Sequence, residues 1–250
     1  MRGRHSLIAP ADATLRSGSN RCRSGYTVAM TTTPGTAPGT VRVTDGAEGL
    51  NGSDHDAFAA VLARTIAVLA EAGVDFAVLG GVASAGYGRA RWTKDIDVFV
   101  RPEDADPALD ALGANGFEID RINPAWIFKA NREGVQVDLI FKGKGGIFLD
   151  DRMVSHVRPV TLAGVEVPAI GPEDLIVMKA LSHDEESPRH WYDALGVLSS
   201  ADIDLPYLLE RARLGPNRVL ALLHYALSVD VPVPTAAVRQ LHDQVSANWS

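Results

Sequence analysis

At 250 residues the chain has room for one or two domains, and 46% hydrophobic with 22% charged residues is an ordinary globular composition. A formal net charge of −7 argues against a protein built chiefly to grip duplex nucleic acid, which shows a basic face. The single cysteine, Cys22, excludes an internal disulfide framework and a cysteine-built zinc cage.

Residues 1–51 are rich in Gly, Ser, Thr and Pro and lack hydrophobic periodicity, so they read as a disordered tail. The tail holds six Lys/Arg and three Asp/Glu, which leaves 18 basic and 28 acidic residues in the remainder. Met30 offers a second start, and residues 1–29 then read as an upstream extension. The terminal arginines adjoin no apolar core, so they do not form a secretory signal. No apolar run approaches the roughly 18 residues that span a bilayer. The expectation is a cytoplasmic protein with no membrane partner.

Residues 53–72 read as an amphipathic helix. Ser53 is an N-cap residue, Asp54 and Asp56 suit the first turn, and Phe58, Val61, Leu62, Ile66 and Leu69 recur at helical spacing. Gly73 closes it. An apolar run, residues 76–79, follows and stops at Gly80-Gly81, as a buried strand does. Glycine lets backbone approach a phosphate closely, and a helix amino terminus offers free N–H groups to an anion. Ser84 would add a hydroxyl there. Arg89 and Arg91 either counter triphosphate charge or are solvated. Thr93 would brace the loop that presents Asp95.

Residues 96–100 form a second strand-like run, rich in β-branched and aromatic side chains. Asp95 and Asp97 stand two apart at its start, and in a strand that spacing puts both carboxylates on one face. Two carboxylates so close repel unless a cation joins them, and hard divalent cations take carboxylate and phosphate oxygens. Pro102-Glu103 opens a helix through Ala114. A strand near residues 117–119 follows, then two strands, 125–130 and 135–141, joined by the turn Asn131-Arg132-Glu133-Gly134. Asp138 lies among apolar neighbours on the last of these, which is costly unless it is paired or bound to metal.

Gly80-Gly81 followed by Arg91-x-Thr93-x-Asp95-x-Asp97, with Asp138 as a third acid, resembles the signature of the polymerase-β-like nucleotidyltransferase superfamily. The fuller stretch GGVASAGYGRARWTKDIDVFV is similar to stand-alone bacterial members, including AbiEii-type toxin nucleotidyltransferases. The resemblance implies a metal-dependent nucleotidyltransferase. Asp95, Asp97 and Asp138 would be both the metal ligands and the catalytic acids, with Mg²⁺ or Mn²⁺ as the ion and an NTP as co-substrate. Gly80, Gly81, Ser84, Arg91 and Thr93 would bind the nucleotide. The implied acceptor is an RNA end, with an antitoxin protein as partner. Open alternatives are an adenylyltransferase acting on a small hydroxylated molecule such as an antibiotic, protein adenylylation, and a non-catalytic nucleotide-binding module.

Lys142-Gly143-Lys144-Gly145-Gly146 lacks P-loop spacing and reads as a flexible turn. Residues 158–170 give two short strands around Ala163-Gly164 at the sheet's edge. Pro172 starts a helix at N1, with Glu173 and Asp174 in its first turn. In look-alike enzymes a lysine on this helix faces the nucleotide phosphates. Lys179 is the candidate, against the reading of a surface lysine. Arg189-His190-x-x-Asp193 resembles the family's Arg/Lys-Asp-x-x-Asp stretch with His190 in place of the first aspartate, and Asp193 reads as structural. Residues 204–213, 217–229 and 235–247 read as three further helices. The expected fold is α+β: a nucleotidyltransferase-like mixed β-sheet with flanking helices, then a C-terminal helical region. The expected organisation is 1–51 tail, 52–171 α/β domain and 172–250 helical region.

Overall fold

The computed structural model describes residues 52–89 and 91–247, and of residues 52 and 53 only the backbone. The expected disorder of residues 1–51, the Met30 start and the Ser53 cap therefore lie outside what is described. Helix α1 (Gly52–Glu71) opens the chain and buries Phe58, Leu62, Ile66 and Leu69. Gly73, at φ +69°, turns the chain out of it.

Seven strands form one sheet: β1 (Phe76–Val78), β2 (Asp95–Val100), β3 (Glu118–Asn123), β4 (Ile127–Arg132), β5 (Val135–Ile140), β6 (Arg158–Leu162) and β7 (Val165–Ala169). Their order is β3-β4-β5-β2-β1-β7-β6. The β2–β5 and β1–β7 pairs are parallel and the other neighbours antiparallel. Alternation divides the faces of the central strands. Phe128, Ala130, Val137 and Leu139 are buried on one face, where α1 and α3 (Ala105–Ala114) pack. Lys129, Gln136 and Ile140, on the other face, remain partly exposed.

Short helices α2 (Gly80–Gly86) and α4 (Asp151–Ser155) follow β1 and precede β6. The sheet then gives way to α5 (Pro172–Ser182), α6 (Arg189–Ser200), α7 (Leu205–Arg211), α8 (Pro216–Ser228) and α9 (Thr235–Ser246). The architecture is the expected one, a mixed sheet with flanking helices followed by a helical region. Helix α5 packs against α2, α6, α7 and α8, with residues 172–180 all buried.

Two local readings need correction. The turn between β4 and β5 is Glu133-Gly134 alone, both at positive φ, because Asn131 and Arg132 still pair with Gln136 and Val135. Helix α4 had no periodicity long enough to reveal it. Asp150 caps it by accepting from the Met153 N–H at 2.8 Å. No helix among the described residues is long and apolar enough to cross a membrane.

Candidate active site

Strand geometry assembles three acids. Asp95 and Asp97 alternate onto one face of β2, and parallel pairing places Asp138 of β5 beside Asp97. One oxygen from each of the three lies within 4.8 Å of the others. The Leu79 N–H donates to the Asp97 carbonyl at 3.0 Å, which fixes the end of β1 against β2. The chain then turns at Gly80, whose φ of +65° is left-handed. A methyl group at Gly80 would collide with the Asp97 carboxyl, so both the backbone angle and the space demand glycine.

The cluster is electrostatically tense. Burial first, and then the charges of Asp95 and Asp138, push the Asp97 carboxyl up to about 7. The Lys179 charge and the Gly81 backbone N–H oppose this only in part. Asp138 is relieved differently, since its Oδ1 accepts from Lys129 Nζ and from Gln136 Nε2, each at 2.8 Å. Thr93 Oγ1 donates to Asp95 Oδ1 at 2.6 Å. Three hard oxygen donors that destabilise one another when ionised suit a divalent cation, and these residues could hold one.

Beside the acids stands an ion triad centred on a buried aspartate. Asp193, 1% exposed, accepts from Arg91 Nε and Nη2 at 2.8 and 2.9 Å and from Lys179 Nζ at 2.8 Å. Burial raises the Asp193 pKa, but the hydrogen bond from Arg91 and the charge of Lys179 outweigh it and hold it below the ordinary carboxylate value. Lys179 is 5% exposed, so the surface reading of this residue is excluded. His190 lies next to the triad, and burial together with the Lys179 charge pulls its pKa down to about 4, leaving it neutral at pH 7.

Gly80, Gly81, Arg91, Thr93, Asp95, Asp97, Asp138 and Lys179 all line one cavity of about 1320 Å³. Ser84 does not: it is fully buried inside α2, and its hydroxyl donates back to the Gly80 carbonyl at 2.7 Å. Arg89 also lies outside the lining, packed against Gly196 of α6. The glycine stretch 142–146 lines the cavity and is no loose connector. The Gly143 N–H donates to the Ile147 carbonyl at 2.7 Å, and Gly145 and Gly146 adopt positive φ to close the turn. Its position directly after the strand bearing Asp138 is the signal that could have flagged it. Trp126 also faces the cavity, and nothing in its local sequence marks it, whereas His190 faces it from the position where the family's stretch has its first aspartate.

A family model described as "Nucleotidyl transferase of unknown function (DUF2204)" matches residues 59–211, more than half of the chain. No curated protein matches the chain. Among solved structures it is similar to an antigenic nucleotidyltransferase-like protein from Paracoccidioides brasiliensis, with 19% identity, a TM-score of 0.49, and 76% of this chain and 94% of that one covered. It is also similar to the antibiotic-resistance factor ANT(2'')-Ia, at 16% identity and TM-score 0.48 over 76% of this chain and 99% of that one. A third is the lincosamide antibiotic adenylyltransferase LnuA, at 12% identity and TM-score 0.42 over 61% and 99%. Likeness at this level carries nothing about substrate.

Proposed function

The chain belongs to the nucleotidyl transferase family described as DUF2204, and from that premise we propose that it transfers a nucleoside monophosphate from an NTP to an acceptor hydroxyl. The observation that carries the reading is the meeting of three carboxylates from adjoining strands, oxygens within 4.8 Å, beside a glycine turn. In the reaction the acceptor oxygen bonds to the α-phosphorus while the bond to the bridging oxygen breaks. Pyrophosphate leaves, and the hydroxyl proton passes to Asp138 or to water.

Each residue has a task in this scheme. Asp95, Asp97 and Asp138 would hold a divalent cation, Mg²⁺ or Mn²⁺. When bound, such an ion neutralises phosphate charge and favours in-line displacement. Lys129 and Gln136 occupy Asp138 Oδ1, so Oδ2 is the oxygen left to act. Thr93 steadies Asp95. Gly80 and Gly81 let the backbone approach the phosphates. Arg91 and Lys179 take triphosphate oxygens, already aimed by Asp193 before the nucleotide arrives. The first acceptor to test is an RNA end, in a cytoplasmic toxin paired with an antitoxin protein. A small hydroxylated molecule is the second.

The test incubates the protein with Mg²⁺, each α-labelled NTP, and either total RNA or hydroxylated amino sugars. Label should move to one acceptor class and release pyrophosphate, and Asp97→Ala should abolish transfer. A wild-type protein that moves no label and releases no pyrophosphate overturns the reading.

A further inference from the structure

The cavity of about 1320 Å³ exceeds the span of about 300–1,000 Å³ usual for one ligand. Its wall on β4 and β5 carries groups that the donor scheme leaves unused. Trp126 is 42% exposed and makes no ring contact among the described residues. Ile127 and Ile140 pair across the strands and form an apolar step between Trp126 and Asp138. Trp126 sits in the turn that leads directly into β4, whose Lys129 pairs with Asp138. Its carbonyl accepts from the Phe141 N–H at 3.0 Å, which sets it beside Lys142.

Lys142 lines the cavity, is exposed and has no ion-pair partner among the described residues. Among the described residues Lys144 is paired only with Asp184, at 2.9 Å, and both side chains are about half exposed. Such a solvent-screened pair exchanges readily for another anion. The turn bearing these lysines is held in place, with Gly143 against Met178 and Gly145 against Leu181.

The following step rests on the nucleotidyl-transfer reading. In-line displacement puts the attacking hydroxyl and the leaving pyrophosphate on opposite sides of the phosphorus. Gly80, Gly81, Arg91 and Lys179 claim one side of the acids for the triphosphate. The β4–β5 wall lies across the acids from them. We propose that this wall is the acceptor subsite and that the acceptor is nucleotide-like: a hydroxyl at Asp138, a flat ring stacked on Trp126, and an anionic group held by Lys142 and Lys144. A free nucleotide and the end of a single-stranded RNA share this chemistry.

Binding of two probes, AMP and a 5′-labelled 12-nucleotide single-stranded RNA, should be measured with Mg²⁺ and a non-hydrolysable NTP analogue present. At least one probe should bind. Trp126→Ala, and separately the pair Lys142→Ala with Lys144→Ala, should each weaken it about tenfold or more while analogue affinity changes less than about twofold. AMP binding alone marks a free nucleotide as the source, and RNA binding alone marks a nucleic acid end. The proposal is overturned if neither probe binds, if both variants bind as wild type, or if an amino sugar binds at this wall instead. Loss of analogue binding in the wild type would sink the underlying reading rather than this subsite. All three side chains are exposed, so the variants are expected to fold, which a thermal melt checks.

Discussion

Asp97 bears the strain of the site, and its protonation gives a pH test. Its folded-state pKa of about 7 lies above the ordinary aspartate value of 3.8. Between those values the folded protein keeps a proton that the unfolded chain has released. Stability of the metal-free protein therefore falls as pH rises from about 4 to 7 through this group. The shift sets a ceiling of about 4 kcal/mol, and solvent screening removes about half of it. Asp97→Asn removes the charge at nearly constant shape. It should raise the urea-unfolding free energy of the metal-free protein by about 2 kcal/mol at pH 8 and hardly change it at pH 4. Cation binding must expel the same proton, so Mn²⁺ affinity, followed by the EPR signal of the free ion, should climb about tenfold per pH unit below 7 and level off above it. A flat profile between pH 5.5 and 8, or an Asn variant no more stable at pH 8, would show that Asp97 is not under this stress.

At the scale of the element, the unit that matters is the turn from β1 into α2. Gly80→Ala places a methyl on the Asp97 carboxyl and forces a non-glycine residue to φ +65°. It should cost about 1–3 kcal/mol and displace Asp97. Mn²⁺ binding should be lost while the far-UV spectrum stays native, whereas unchanged Mn²⁺ affinity would mean that Asp97 does not depend on this turn. The turn and the i, i+2 acids are short-range features, which is why they could be read from the chain. Contacts set by register could not. A four-residue turn from Asn131 to Gly134 would have put Ile127 opposite Asp138. The real two-residue turn slides the pairing by two and brings Lys129 there instead. Ser84 escaped correct reading because a serine one turn into a helix can satisfy itself on the carbonyl four residues back. Asp193 meets Arg91 across a separation of 102 residues, and no local pattern encodes that contact.

At the scale of the whole molecule, α5 carries the connection between sheet and helices. Its C-terminal part presents Lys179 to the site. Its first turn is anchored by buried charge: Asp174 accepts from Arg211 Nε and from the Tyr207 hydroxyl, each at 2.6 Å, and Arg211 also donates to Asp150 at 2.8 Å. Burial raises the Asp174 pKa even against the Arg211 charge, and burial with Asp174 nearby raises that of the Tyr207 phenol. Such a pair stabilises little relative to an apolar substitute, but half of it is worse than none. Arg211→Met should therefore cost about 3–5 kcal/mol in urea unfolding, and adding Asp174→Leu should return most of that. Mg²⁺ with an NTP analogue at about 100 times its Kd adds about 2.7 kcal/mol to any protein that binds it only when folded. The single variant should thus recover much of its melting temperature with nucleotide present. Should it instead bind nucleotide as wild type does yet stay unstable by the full amount after Asp174→Leu, the damage would lie in the packing of α7 and not in an orphaned carboxylate.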